Sequence, residues 1–141
     1  MSGTRRISRE LTMQMLFQGD LGKQDPDQVR SLFWESRDDV DEKTRGFAED
    51  LYRVATTRNK EIDDLIQAHA QNWRLERMAA VDRNLLRTAV AEMLGYPGTP
   101  APIIISEALE IARRYAAPES IQFLNGMLDA ITRTVLKSRL G

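Results

Sequence analysis

The 141-residue chain carries 20 basic and 21 acidic side chains, which gives a formal net charge of −1 at pH 7. This balance excludes a protein that grips nucleic acid by overall charge alone, because such proteins are usually strongly basic. The absence of cysteine excludes disulfides and thiol chemistry. No apolar stretch reaches the roughly 18 residues of a membrane-spanning helix, and the charged N-terminus does not resemble a secretory signal. We therefore expect one cytoplasmic domain over 1–141.

The first two predicted helices occupy the start of the chain. Apolar residues about four apart predict a helix over about 4–20. Asp25 followed by Pro26 is typical of a helix start, because the carboxylate caps free backbone N–H groups and proline fits the first turn. The positions expected to face the core are Ile7, Leu11, Met15 and Leu16 in the first helix, and Val29, Leu32 and Phe33 in the second.

A charged connector over 35–43 leads into a helical stretch over about 42–70. The apolar pattern weakens near 56–60, so the sequence leaves open whether this stretch is one bent helix or two. Its apolar positions are Phe47, Leu51, Val54, Ile62, Leu65 and Ile66.

The second half of the chain has the clearest helical spacing. A helix is predicted over 76–94, followed by a loop rich in glycine and proline over 95–102. Two further helices are predicted, one starting near Pro102 and one over about 118–137. The inward residues expected in these three helices are Met78, Val81, Leu85, Ala89 and Met93, then Ile105, Leu109 and Ala112, then Ile121, Leu124, Leu128, Ile131 and Val135.

Gly126 lies inside the last predicted helix. A mid-helix glycine destabilises a helix by about 1 kcal/mol relative to alanine, so we expect a neighbouring helix to approach closely at this position. Helical spacing throughout, with no internal repeat or linker, predicts an all-α domain with two helical layers over 1–75 and 76–141.

The sequence offers no set of residues suited to catalysis or metal binding. His69 is the single histidine and no cysteine accompanies it, so it is expected to be a surface or helix-capping residue. No glycine-rich phosphate loop occurs. The acidic pairs at 38–39 and 63–64 are expected to be solvated. These features predict a protein that is not an enzyme and needs no cofactor.

Two groups of residues suit recognition instead. Arg5, Arg6 and Arg9 lie at the start of the first helix, where arginine can hold phosphates bidentately; the alternative is solvated charge on an exposed N-terminus. Tyr115 and Phe123 lie beside basic and polar residues at a corner between two helices. Aromatic faces at such a corner can stack unpaired bases; the alternative places both rings in the core.

Four stretches of the chain resemble the NusB family in order and spacing. They are RRISRELTMQMLF at 5–17, WRLERMAAVDRNLLRTA at 73–89, ISEALEIA at 105–112 and SIQFLNGMLD at 120–129. Together they cover nearly the whole chain, so their combination is far more specific than any one of them.

The resemblance implies an all-α fold of about seven helices in two three-helix groupings. It also implies a transcription antitermination factor that binds the boxA element of ribosomal RNA leader transcripts. The expected partner is NusE, a small-subunit ribosomal protein, and the pair is expected to join other Nus factors on RNA polymerase and suppress premature termination. Some members of the family self-associate, so a homodimer is a further expectation.

The resemblance also implies which residues of this sequence make the family's contacts. The RNA contacts implied by the resemblance are Arg5, Arg6, Arg9, Tyr115, Glu119, Ser120, Gln122 and Phe123. The NusE-facing residues implied are Phe17, Glu76 and Asp82. For Asp82 the alternative is a surface charge paired with Arg83 or Arg87.

Two other functions compete with this interpretation. One is a helical protein-interaction scaffold that lacks specific RNA binding. The other is a substrate-binding module, because a NusB-like domain precedes the catalytic domain of certain rRNA cytosine methyltransferases.

Overall fold

A computed structural model describes residues 2–140 and, within them, every side chain except that of Ser2. Over this range the backbone forms seven α-helices, one short 3-10 helix and no strand, and none of the helices is long and apolar enough to cross a membrane. The helices are α1 (Ser2–Gly22), α2 (Pro26–Glu35), α3 (Glu42–Thr57), α4 (Asn59–His69), α5 (Ala80–Gly95), α6 (Ala101–Tyr115) and α7 (Ser120–Leu140), and the 3-10 helix is Leu75–Arg77.

The helices pack in two groups of three, as the family resemblance implies, but the predicted layer over 1–75 is wrong for α4, which packs with the second group. Helices α1, α2 and α3 enclose a small core that includes Met15, Phe33 and Trp34. Helices α5, α6 and α7 enclose a larger core to which α4 and the inner sides of α1 and α3 also contribute. Helix α5 contacts α1, α3, α4, α6 and α7, so it is buried on nearly every side and joins the two groups.

The long stretch over 42–70 is two helices. The break falls at Arg58, whose backbone has φ −107° and ψ 25°. The Arg58 side chain donates from Nη1 to the backbone oxygen of Leu94 at 3.3 Å, which ties the break to the end of α5. His69 ends α4, and its Nε2 lies 2.9 Å from Oγ1 of Thr134 on α7.

Three predicted core faces contain errors, and the first is on α1, where Ile7 is 51% exposed. Leu32 is 48% exposed and Trp34 is buried in its place, because the indole Nε1 reaches inward to Glu49 at 3.0 Å. On α6 the prediction of Ala112 is confirmed, but the residues buried in the two turns before it lie one position before the predicted Ile105 and Leu109, since this helix packs against three neighbours and its inward face is wide. The buried set there is Ile104, Ala108, Ile111 and Ala112, while Ile105 and Leu109 are half-buried.

The prediction for Gly126 is also wrong. A Cβ atom added at Gly126 would have no heavy atom within 4 Å, whereas one added at Gly95 would lie 3.0 Å from Cγ1 of Val54. Close approaches between helices therefore occur at the end of α5 and at Gly19 on α1, where an added Cβ would lie 3.2 Å from Val29, and not at Gly126. The expectation of a solvated Asp63 fails too, because its carboxylate receives two hydrogen bonds from Arg87 at 2.8 and 3.0 Å.

Candidate nucleic-acid interface

Helices α1 and α6 run parallel to each other along a seam of charged side chains. Near the start of α1, Arg6 donates from Nε and Nη2 to the two carboxylate oxygens of Glu107 at 2.8 and 2.9 Å. One turn later, Glu10 accepts from Arg114 at 2.8 Å and from the Tyr115 hydroxyl at 2.9 Å. This seam brings Arg6 and the end of α6 onto one side of the molecule.

Arg9 lies inside the protein. Its side chain is 8% exposed, and its Nε and Nη2 each donate to the carboxylate of Glu92 at 2.7 Å. Its Nη1 lies 3.5 Å from Glu107. The interpretation of Arg9 as a solvated charge is therefore wrong, and the predicted contact between Arg9 and RNA requires the pair with Glu92 to open.

Arg5 points away from the seam. Its guanidinium carbon lies 3.8 Å from the centre of the Phe47 ring on α3, which is the geometry of a cation–π contact. Phe47 in turn packs against Tyr96, with the ring centres 5.2 Å apart. The structure therefore places Arg5 and Arg6 on opposite flanks of α1.

Tyr115 forms an exposed ring whose orientation is fixed. The residue is 38% exposed, so the alternative of a core residue is wrong. In addition to the bond with Glu10, its hydroxyl accepts from Gln14 at 3.3 Å. The guanidinium carbon of Arg114 lies 5.5 Å from the ring centre. Burial of the hydroxyl and its hydrogen bond to Glu10 raise the pKa of Tyr115, so the phenol stays neutral. The hydrogen bonds with Glu10 and Gln14 fix the orientation of the ring.

A short turn after α6 leads to the remaining predicted RNA residues on α7. Glu119 and Gln122 are exposed, whereas Ser120 and Phe123 are half-buried. A cavity of about 380 Å³ opens beside them, between the 3-10 helix and the starts of α5 and α7. It is lined by Trp73, Arg77, Met78, Ala79, Asp82, Glu119, Ser120 and Phe123. We call it the α5–α7 cavity.

Asp82 is buried at the wall of this cavity. It is 6% exposed, and among the residues described its Oδ1 is a buried oxygen without a hydrogen-bond partner. Arg83 and Arg87 do not pair with it, because both bind Asp20 and Arg87 also binds Asp63. The alternative of a paired surface charge is therefore wrong.

The other two predicted partner residues lie at the same end of α5. Glu76 is exposed in the 3-10 helix, with its carboxylate 3.7 Å from Arg74. Phe17 is half-buried on α1, one turn before Asp20, whose carboxylate accepts from Asn84 at 2.9 Å.

Sequence patterns did not identify Trp73 and Arg77 as part of the site. Trp73 is 56% exposed at the α5–α7 cavity, and both residues precede the regular spacing of α5, so no periodic signal marks them. Within the part of the chain described, no group of three acidic or histidine side chains is placed to hold a metal ion.

Comparisons with known proteins agree with this architecture. Residues 6–133 match the NusB family. The chain is 59% identical over 132 residues to the transcription antitermination protein NusB of Koribacter versatilis (strain Ellin345), across 94% of this chain and 90% of that protein. It is 44% identical to the transcription antitermination protein NusB of Solibacter usitatus (strain Ellin6076), across 92% of this chain and 89% of that protein.

Solved structures give the same result. T. maritima NusB superposes with a TM-score of 0.84 at 35% identity, across 92% of this chain and 90% of that one. A chain from the crystal structure of antitermination factors NusB and NusE in complex with dsRNA superposes with a TM-score of 0.86 at 25% identity, across 95% and 99%. The relatives are named as antitermination factors and not as enzymes, which agrees with the predicted non-catalytic role. The matched range and the level of identity show that this chain belongs to the NusB family.

Proposed function

We propose that this chain is a cytoplasmic transcription antitermination factor that binds boxA RNA of ribosomal RNA leader transcripts as a heterodimer with NusE. In this role it joins other Nus factors on RNA polymerase and suppresses premature termination. The observation that carries the proposal is the short turn that joins the end of α6, at the α1–α6 seam, to the start of α7, which lines the α5–α7 cavity. Tyr115 lies before this turn and Phe123 lies after it, both beside polar side chains. Relatives named as antitermination proteins, and a neighbouring structure that contains NusB, NusE and dsRNA, support the same function.

The charges on this surface explain why a partner is needed. Arg6, Arg9, Arg113 and Arg114 each form an ion pair with a glutamate. Little positive charge is left to neutralise phosphates, and the net charge of the whole chain is −1. Affinity for RNA therefore depends on base stacking and hydrogen bonds, with phosphate neutralisation supplied by a basic partner.

Each predicted residue has a place in this proposal. Tyr115 and Phe123 stack on unpaired bases, while Glu119, Ser120 and Gln122 bind base or ribose edges. Arg5 and Arg6 bind phosphates from the two flanks of α1, and Arg9 holds α1 in place. Phe17, Glu76 and Asp82 lie at the end of α5 that faces NusE, and Asp82 also lines the α5–α7 cavity.

The proposal is tested by fluorescence anisotropy of a boxA RNA titrated with this protein, with NusE and with both, against a scrambled RNA at one salt concentration. We expect tight binding that depends on sequence and strengthens when both proteins are present. Phe123→Ala should weaken RNA binding and leave NusE binding unchanged. Leu136→Ala, which alters an exposed residue elsewhere on the same helix, serves as the matched control.

The same titration separates the competing functions. If the heterodimer forms but boxA and scrambled RNA bind equally weakly, the chain is a protein-interaction scaffold. The chain covers 90% and 89% of two antitermination proteins, which favours an antitermination factor over the substrate-binding module of a methyltransferase.

A further inference from the structure

We propose that Arg5 and Phe47 form a preorganised binding site for a phosphate of RNA, in which Arg5 binds the phosphate and Phe47 is a positioning residue that holds the guanidinium on the face of its ring. The RNA-binding surface then extends from α1 onto α3. This inference rests on the proposed RNA-binding function. It adds Phe47, which helical spacing assigned to the core, to the residues on which RNA affinity depends.

The first observation is that no carboxylate cancels the charge of Arg5. Four other arginines on α1 and α6 each form an ion pair with a glutamate, namely Arg6, Arg9, Arg113 and Arg114. Among the ion pairs within residues 2–140, none involves Arg5, which is exposed. Arg5 can therefore neutralise a phosphate without first leaving an acidic partner.

The second observation is the way in which the guanidinium is held. Its carbon lies 3.8 Å from the centre of the Phe47 ring, which fits a guanidinium that rests on the face of an aromatic ring. A planar guanidinium carries its N–H donors in its own plane. The ring covers one face and leaves the edge available, and this edge matches two oxygens of a phosphate. In Arg6 the same edge is already used by Glu107.

Phe47 is itself held in place from the end of α5. Its ring packs against that of Tyr96, whose hydroxyl donates a hydrogen bond to the carboxylate of Asp50. Burial and this hydrogen bond raise the pKa of Tyr96, so the phenol stays neutral. Gly95 permits the arrangement, because a Cβ atom there would lie 3.0 Å from Cγ1 of Val54 on α3. The guanidinium therefore rests on a fixed surface, and less conformational entropy is lost when a phosphate binds to it.

The surroundings of this site favour a phosphate of RNA over an acidic segment of a protein. Arg5 lies in the first turn of α1, where the helix dipole disfavours a cation and favours an anion. It directly precedes Arg6, so one RNA strand that crosses the start of α1 can reach both. Phe17, which is expected to face NusE, lies roughly 18 Å further along the helix. The acid on this side of α3, Asp50, is paired with Arg53.

The test measures the affinity of the heterodimer with NusE for boxA RNA and for a scrambled RNA, by fluorescence anisotropy over a series of salt concentrations. Arg5→Met should reduce the slope of log affinity against log salt by roughly 0.7, the value for one phosphate of a single strand. The reduction should be equal for both RNAs, because phosphate contacts carry no sequence information. The matched control is Arg45→Met, which removes an exposed arginine that rests on Trp34 of α2 and should leave the slope unchanged.

Variants of Phe47 separate positioning of Arg5 from a purely structural role. Phe47→Leu keeps an apolar side chain but removes the ring, so it should weaken RNA binding roughly two- to fivefold, the contribution of an exposed cation–π contact. The salt slope should not change, because Arg5 keeps its charge. Phe47→Tyr keeps the ring and should bind RNA as the wild-type protein does. In the Arg5→Met background, Phe47→Leu should have no further effect, as expected for two residues in direct contact.

The possible outcomes are distinct. If Arg5→Met leaves the salt slope unchanged for both RNAs, Arg5 binds no phosphate and the inference is overturned, while a preference for boxA RNA still supports the proposed function. If Phe47→Leu weakens RNA binding equally with and without Arg5, the ring only stabilises the fold and the inference is also overturned. If the wild-type heterodimer binds boxA and scrambled RNA equally weakly, the proposed function fails, and the salt slopes of the two RNAs still decide whether Arg5 binds a phosphate.

Discussion

The guanidinium of Arg6 and the carboxylate of Glu107 are joined by two parallel hydrogen bonds across the seam between α1 and α6. The Arg6 side chain is 37% exposed, whereas that of Glu107 is 9% exposed. Phosphates are bound by arginine through the same two-pronged geometry. In the proposed function, this carboxylate of the protein therefore occupies the position that a phosphate of RNA would take.

Removal of this carboxylate should strengthen phosphate binding. Glu107→Gln leaves Arg6 without its charged partner, so we expect tighter RNA binding at low salt. The slope of log affinity against log salt should steepen by roughly 0.7, the value for one phosphate of a single strand. The control is Glu110→Gln, which removes an exposed partner of Arg113 one turn further along α6. Weaker binding by Glu107→Gln would show instead that Glu107 positions Arg6 for RNA.

The same pair predicts how stability depends on pH. The hydrogen bond from Arg6 lowers the pKa of Glu107 below its ordinary value of 4.5, although burial of the carboxyl opposes this. A lowered pKa in the folded state means that the stabilisation is present above 4.5 and is lost as the pH falls through the folded-state value. The difference in free energy of unfolding between wild-type protein and Glu107→Gln, from urea titrations, should therefore be constant at neutral pH and shrink below pH 4.5. A difference that grows on acidification would contradict this assignment.

Replacement of Arg9 should lower the stability of the fold and leave the phosphate contacts of the surface unchanged. Removing one member of a buried ion pair typically costs about 3–5 kcal/mol, so Arg9→Met should lower the free energy of unfolding by an amount of this order. The double variant Arg9→Met with Glu92→Gln removes both charges and should recover most of the loss. RNA titrations of the double variant should then give the wild-type salt slope. A reduced slope would show that Arg9 contacts phosphate after all.

Two glycines should respond in opposite directions to alanine. Gly126→Ala places a methyl group in open space on α7, so it should stabilise the protein by about 0.5–1 kcal/mol through helix propensity. Gly95→Ala would bring a Cβ to 3.0 Å from Val54, so it should destabilise the protein. The measurement is the unfolding temperature of each variant, compared with that of the wild-type protein. If both variants changed the unfolding temperature by the same amount and in the same direction, the close packing of Gly95 against Val54 would be contradicted.

Helical spacing predicted most of the fold because periodicity is a local property. The regular apolar spacing from Met78 to Met93 predicted α5, and the proline-rich loop after it predicted where α5 ends. Spacing failed where a side chain from another element decides burial. Trp34 displaces Leu32 from the core because Glu49, on α3, accepts its indole N–H, and nothing near Leu32 in the sequence signals this.

The candidate site was less predictable than the fold for the same reason. Arg9 pairs with a glutamate 83 positions away, and pairing at such a separation leaves no pattern in the sequence. Arg9 therefore looked like its neighbours Arg5 and Arg6, although only those two reach the surface. Asp82 looked like an ordinary helical acid paired with a nearby arginine, and the lack of that pair became visible only when the partners of Arg83 and Arg87 were known.

The glutamates that neutralise the arginines also affect how strongly other RNAs in the cell compete for this surface. Arginines that are free in solution attach to any polyanion, so they would spend most of their time on abundant, irrelevant transcripts. To bind a phosphate, each paired guanidinium must first leave its carboxylate. The exchange contributes little binding free energy unless bases also stack on the aromatic rings. In the proposed function, the ion pairs therefore reduce binding of RNAs that lack the matching bases.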